Sequence, residues 1–151
     1  MSLDYSKGKP IIFPYKEFEI TTSTGKEKIW RPLALVGLTR KNFRFDALID
    51  TGSDKTISWL DPIAHRLGLA DEFDEGEPTE TISGLFGEGP AWCNHTPLWI
   101  GEHQLNIPIY WLTQEYEISK GYQIILGGKI VFDNFDVIFK KKDKSVYFYK
   151  R

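Results

Sequence analysis

The stretch Ala47-Leu48-Ile49-Asp50-Thr51-Gly52-Ser53 constrains this chain more than any other, because an apolar strand stops abruptly on a carboxylate followed by a small hydroxyl and a glycine. Such a sequence delivers one acid, Asp50, to the tip of a tight loop, where backbone amides and the Thr51 hydroxyl orient it. Gly52 reads as the place where the backbone passes close beneath the carboxylate with no Cβ in the way. The same residues also suit an ordinary strand followed by an Asx or Ser/Thr turn. The surroundings of the loop decide between the two.

A chain of 151 residues has room for one domain with a real core. Its aromatic content of 15%, with ten Phe, seven Tyr and five Trp, suits pleated, half-buried surfaces better than helices, so mostly β structure is expected. The formal net charge of −2 lacks the basic excess of nucleic-acid binders, which argues against a nucleic-acid partner. A single cysteine, Cys93, excludes an intrachain disulfide and fits a reducing compartment. Residues 1–12 have no apolar segment of signal-peptide length, and no run approaches the roughly 20 apolar residues of a spanning helix. The expectation is a soluble, cytoplasmic protein with no membrane partner, and the Asn94-His95-Thr96 sequon carries no weight there.

No repeat or low-complexity tract interrupts the chain, and its candidate strands are punctuated by turn residues at short intervals, as in a small barrel or sandwich. Residues 29–38 and 43–50 read as two strands joined through Thr39-Arg40-Lys41-Asn42. Asp61, Pro62 and Gly68 mark both ends of a short helix. Residues 71–80 are acidic and read as an exposed loop. Gly84, Gly87 and Gly89 then punctuate a segment around Leu85 and Phe86, and residues 92–100 and 103–112 form a strand pair turning at Gly101-Glu102. An apolar run over 122–126 stops at Gly127-Gly128, a short turn or helix follows, and a last hairpin joins 135–139 to 145–149. Cys93, His95 and His103 do not make a zinc site, which usually supplies four ligands in paired spacing. Nothing prepares Cys93 as a thiolate nucleophile.

An Asp-Thr-Gly-Ser loop, a glycine-rich hairpin and an apolar strand ending in Gly-Gly before a short helix, in that order, resemble the retroviral-type aspartic proteases, the retropepsin-like family. The resemblance spans residues 30–149. It implies an all-β fold, a small closed β-barrel of the acid-protease type with one or two short helices, over residues 29–151. Residues 1–28 lie outside it as an N-terminal extension that adds a strand or joins a dimer. By the same resemblance Asp50 stands at the catalytic carboxylate, and Thr51, Gly52 and Ser53 support its loop. Thr51 matches the threonine that braces the opposite loop across a dimer. Asp54 matches an acid that receives substrate main-chain amides. Ile82, Ser83, Gly84, Leu85 and Phe86 match the flap that closes over bound peptide, and Leu126 and Gly127 match the strand and glycine beneath the active loop. Viral members follow that glycine with an arginine paired to the acid, whereas this chain has Gly128 there, so Asp54 needs another partner; Lys55, Arg66 and Lys129 are the candidates.

Aspartic proteolysis needs two carboxylates sharing one proton around a water, and this chain has one such loop. The resemblance therefore implies a homodimer acting on a polypeptide substrate, without metal or other cofactor, with the chain-terminal strand over residues 146–149 as first candidate for the interface. The alternatives are a non-catalytic dimer of the same fold serving as a peptide-binding or assembly module and, more distantly, a monomeric barrel that binds small ligands.

Overall fold

The computed structural model describes residues 8–69, 78, 80–84, 87–117 and 121–151. The N-terminal part forms β1 (Ile11–Pro14) and a ribbon of β2 (Lys16–Thr22) and β3 (Gly25–Arg31). Next come β4 (Leu33–Leu38), β5 (Arg40–Ile49) and β6 (Thr56–Trp59), then a distorted helical turn over Leu60–Ala64. A hairpin of β7 (Glu80–Gly84) and the long β8 (Gly87–Ile100) leads into β9 (His103–Leu112), and β10 (Ile124–Leu126) precedes the short helix α1 (Val131–Asn134). The chain closes with β11 (Phe135–Lys140) and β12 (Ser145–Lys150).

The hydrogen-bonded strands run β4-β5-β10-β6-β9-β8, and β8 pairs back onto β4 through Gly37↔Trp99 and Leu38↔Leu98, so the sheet closes into a barrel. Closure removes the free edges that an open sheet would expose. Trp59 and Trp111 are fully buried inside it with Leu38, Leu98, Ile107 and Ile109. Asn94 and Ser58 satisfy several of the polar groups that this burial takes from water. Asn94 Oδ1 accepts from Trp111 Nε1 at 2.7 Å and from Thr96 Oγ1 at 2.9 Å, and the Ser58 hydroxyl donates to the Gln123 carbonyl at 2.8 Å.

A second sheet, ordered β1-β12-β11, brings the two ends of the chain together, with Ile11 opposite Phe148 and Val137 opposite Phe148 on the other side. Its core is aromatic: Phe148 meets Phe13 edge-on at 5.5 Å and Phe135 at 5.7 Å, and Phe135 meets His103 of β9 at 5.7 Å. Those contacts dock the sheet on the barrel.

Two local expectations are corrected. The strand expected over residues 29–38 is two strands broken at Pro32, which has no N–H to donate to a ladder; β3 pairs with β2, and β4 with β5. The connection expected over residues 39–42 shrinks to Thr39, held at φ 59° with its N–H on the Pro97 carbonyl at 2.9 Å, while the register shifts after Gly37. Gly37 and Leu38 stay paired with Arg44 and Arg40 of β5 on one edge while pairing with Trp99 and Leu98 of β8 on the other. The strand expected over residues 92–100 begins earlier, at Gly87, and that expected over 122–126 is confined to Ile124–Leu126, while the last hairpin keeps nearly its expected bounds. Ile100 faces His103 across the Gly101-Glu102 turn, and Gly68, at φ 75°, follows the helical turn a few residues on.

Candidate active site

Strands β5 and β6 are consecutive in the chain yet do not pair, because β10 lies between them, parallel to β5 and antiparallel to β6. The connection from β5 to β6, residues 50–55, must therefore step over the end of β10. Leu126, fully buried, pairs with Ile49, and its carbonyl accepts the Asp50 N–H at 3.0 Å. The backbone of Asp50 is thus pinned to the core just where the strand ends.

The loop's own hydrogen bonds fix its shape. Gly52 N–H donates to the Asp50 carboxylate at 3.1 Å, and Ser53 N–H donates to the Asp50 carbonyl at 3.3 Å. The Ser53 hydroxyl accepts from Lys55 N–H at 3.2 Å and donates to the Lys55 carbonyl at 3.0 Å. From the opposite side, Gly128 N–H donates to the Ser53 carbonyl at 2.8 Å and Lys129 N–H to the Asp54 carbonyl at 3.0 Å. Gly127 N–H donates to the buried Thr56 hydroxyl at 3.1 Å. The Asp50 loop and the Gly127-Gly128 turn are one hydrogen-bonded unit.

The glycine that this unit requires is Gly127. A Cβ there would stand 2.7 Å from the carbonyl carbon of Asp54 and closer still to the Lys55 carbonyl, which no side chain can share. At Gly52 a Cβ would lie 3.5 Å from Asp50 Oδ1, an ordinary contact, so the close approach that the sequence suggested for Gly52 is absent within the chain. What Gly52 contributes is its N–H.

Asp50 is half-buried and Thr51 is exposed. Thr51 lines two clefts that meet at the loop. The larger, about 530 Å³, is walled by Asp54, Lys55, Tyr110, Lys129 and Phe132, and the smaller, about 260 Å³, lies against β11. Of the three cations considered as partners for Asp54, Lys55 and Lys129 share its cleft and Arg66 does not, and no ion pair forms to Asp54 among the described residues. Lys55 instead sits over the Tyr110 ring at 5.3 Å. Tyr110 faces Cys93 across the β8–β9 ladder and hydrogen-bonds it, and burial pushes that thiol's pKa up, opposite to what a reactive thiolate needs.

The glycine-rich segment is a hairpin. Thr81 faces Pro90, Ile82 faces Gly89, Ser83 faces Glu88 and Gly84 faces Gly87, while Leu85 and Phe86, between the paired glycines, lie outside the described residues. Ser83 is exposed, but Ile82 is only 2% exposed and belongs to the barrel core. The structure also singles out Thr56 and Tyr110, which sequence reasoning missed: one braces Gly127 from within the core and the other walls the larger cleft. The polar Thr56 amid apolar neighbours, in Thr-Ile-Ser-Trp, was the available signal for the first.

No protein-family model matches the chain, and no curated protein sequence matches it. Among solved structures, it is similar to a retropepsin-like aspartic protease from Rickettsia conorii, with a TM-score of 0.57 and 16% identity over 87% of this chain and 98% of that one. It is also similar to the retroviral protease-like domain of Ddi1 from Leishmania major, with a TM-score of 0.51 and 14% identity over 79% of this chain and 94% of that domain. At these identities the likeness is one of fold.

Proposed function

From a retropepsin-like fold that carries one Asp-Thr-Gly loop, we propose that this protein is an aspartic endopeptidase, active as a symmetric homodimer in which Asp50 of each copy meets on the two-fold axis. The observation that carries the reading is the anchoring of Asp50. Its backbone is fixed to the Leu126 carbonyl and its carboxylate is oriented by the Gly52 N–H, while its neighbour Thr51 stands exposed beside it. A loop built this way holds an acid rigidly at a surface, and that serves chemistry requiring a second acid from another molecule.

Two carboxylates a few ångströms apart do not both ionise cheaply, so the pair holds one proton between them and titrates as a dyad. The ionised member takes a proton from the bound water as hydroxide adds to the scissile carbonyl carbon. The protonated member gives its proton to the carbonyl oxygen, and breakdown of the resulting diol returns a proton to the departing amine. Thr51 braces the loop of the opposite copy. Asp54 and the exposed Ser83 receive the main chain of an extended peptide, and the β7–β8 hairpin closes over it.

The reading is tested by titrating the protein with a statine-type transition-state analogue while following cleavage of an unfolded polypeptide. One inhibitor per two chains, with complete loss of cleavage at that ratio, supports a shared dyad. Tight binding of the analogue by a protein that never cleaves would instead favour a peptide-binding module of the same fold.

A further inference from the structure

Strand β4 reads Leu-Ala-Leu-Val-Gly-Leu, and the glycine inside this apolar run serves neither the Asp50 loop nor the β7–β8 hairpin. A glycine within a strand marks a bulge or a close approach of backbone, and Gly37 has both. Its partner on β5 is Arg44, whereas Leu38 pairs with Arg40, so Lys41, Asn42 and Phe43 have no partners on β4. The bulged backbone folds over Gly37: a Cβ there would stand 2.7 Å from the Lys41 carbonyl oxygen and 3.1 Å from that of Arg40.

On its other edge Gly37 pairs with Trp99 of β8. Directly opposed residues point to one face of a sheet, so Arg44 and Trp99 flank a position with no side chain, on the face away from the buried Val36 and Leu38. The result is a pocket of about 140 Å³ on the outer wall of the barrel, room for one apolar side chain. Ile11, Phe13, Leu35 and Trp99 supply its apolar walls, and Lys41 and Arg44 its charge. Leu35 is 42% exposed there, and the exposed Phe43 of the bulge has the Arg40 guanidinium 5.4 Å from its ring centre.

The chemistry of this surface selects its occupant. Glu102 holds Lys41, but Arg44 is in no ion pair among the described residues. A second copy docked here would bring Arg40, Lys41 and Arg44 against themselves across a two-fold axis, and a phosphate backbone would leave the apolar walls unfilled. We propose that the pocket is a docking site for a polypeptide segment in which an aromatic or aliphatic side chain is flanked by carboxylates. The apolar group fills the pocket, and a carboxylate pairs with the Arg44 guanidinium, whose fork of N–H donors matches it. Arg44 and Asp50 belong to one strand and its immediate continuation, which at about 3.3 Å per residue sets them about 20 Å apart. A substrate held at both places carries its acidic segment about six or more extended residues from the bond that is cut. That link to cleavage rests on the peptidase reading above; the docking site itself does not.

The experiment measures binding of a fluorescein-labelled peptide, Glu-Phe-Glu-Glu-Leu-Glu, by anisotropy to the full-length wild type and to Arg44→Glu, Leu35→Ser and Lys28→Glu. The last makes the same charge change on the β2–β3 ribbon, and thermal melts confirm that each variant is folded. Cleavage of an unfolded polypeptide, with and without the same peptide fused to its end, is followed in parallel. The expected result is binding by wild type and Lys28→Glu that weakens about tenfold or more in Arg44→Glu and in Leu35→Ser. The fused peptide should lower KM about fivefold or more with kcat unchanged, and Arg44→Glu should remove that advantage while cleaving the unfused polypeptide as wild type does. Absence of binding, equal binding by folded Arg44→Glu, or equally tight binding of a single-stranded RNA of the same length would overturn the docking site and leave the peptidase reading intact. Arg44-dependent binding by a protein that cleaves neither polypeptide would keep the docking site and overturn the peptidase reading.

Discussion

Gly127 lies against the backbone of Lys55 so closely that a Cβ at position 127 has no space, although the two residues belong to separate loops. That contact locks the Gly127-Gly128 turn under the Asp50 loop, and it predicts a contrast between two glycines. Gly127→Ala forces backbone apart in a packed region and should cost about 1–3 kcal/mol, as overpacking does. Gly52→Ala adds a methyl in ordinary contact and should change stability by about 0.5 kcal/mol or less. Thermal melts of the two variants check this, and equal losses would show that the locking contact is not what shapes the loop.

Thr51 is exposed in the single chain beside the β11 edge. If its hydroxyl braces the loop of a second copy, Thr51→Ala should leave the fold of each chain unchanged and weaken the dimer by about 1–3 kcal/mol, roughly 5- to 150-fold in its dissociation constant. Sedimentation over a range of concentrations reads that constant. An unchanged value would count against the bracing role.

Along β7, Thr81 and Ser83 face outward while Ile82 is buried in the barrel. Ile82→Ala should therefore act on stability, at about 2–5 kcal/mol for a core truncation. Ser83→Ala should leave the melting temperature in place and raise KM for an extended peptide. Melts and steady-state kinetics on both variants separate the roles. A stable Ile82→Ala with impaired substrate binding would return Ile82 to the peptide groove.

Features set by neighbours in sequence were legible without the structure. The Asp50 loop, the Gly101-Glu102 turn and the final hairpin each carry their signal within a few residues. Pro32 was also legible in principle, since a proline inside an apolar run argues against a continuous strand, but the run 29–38 was read through it. The alternation Thr81-Ile82-Ser83 likewise contained the inward turn of Ile82. Other features had no local signal at all. The pairing of β1 with β12 joins opposite ends of the chain, and the need for a glycine at 127 arises from residues some 70 positions earlier in sequence. Both follow from tertiary contact, which no short window records.

The most direct measurement of the central claim is the rate at which wild type and Asp50→Asn cleave an unfolded polypeptide, followed from acidic to neutral pH. The substitution is nearly isosteric and keeps the loop's backbone hydrogen bonds, but it leaves no group able to ionise and take a proton from water. Wild type should cleave, and Asp50→Asn should be slower by about a thousandfold or more with its melting temperature and dimer constant little changed. Cleavage by Asp50→Asn within tenfold of wild type, in a preparation free of other peptidases, would contradict the account.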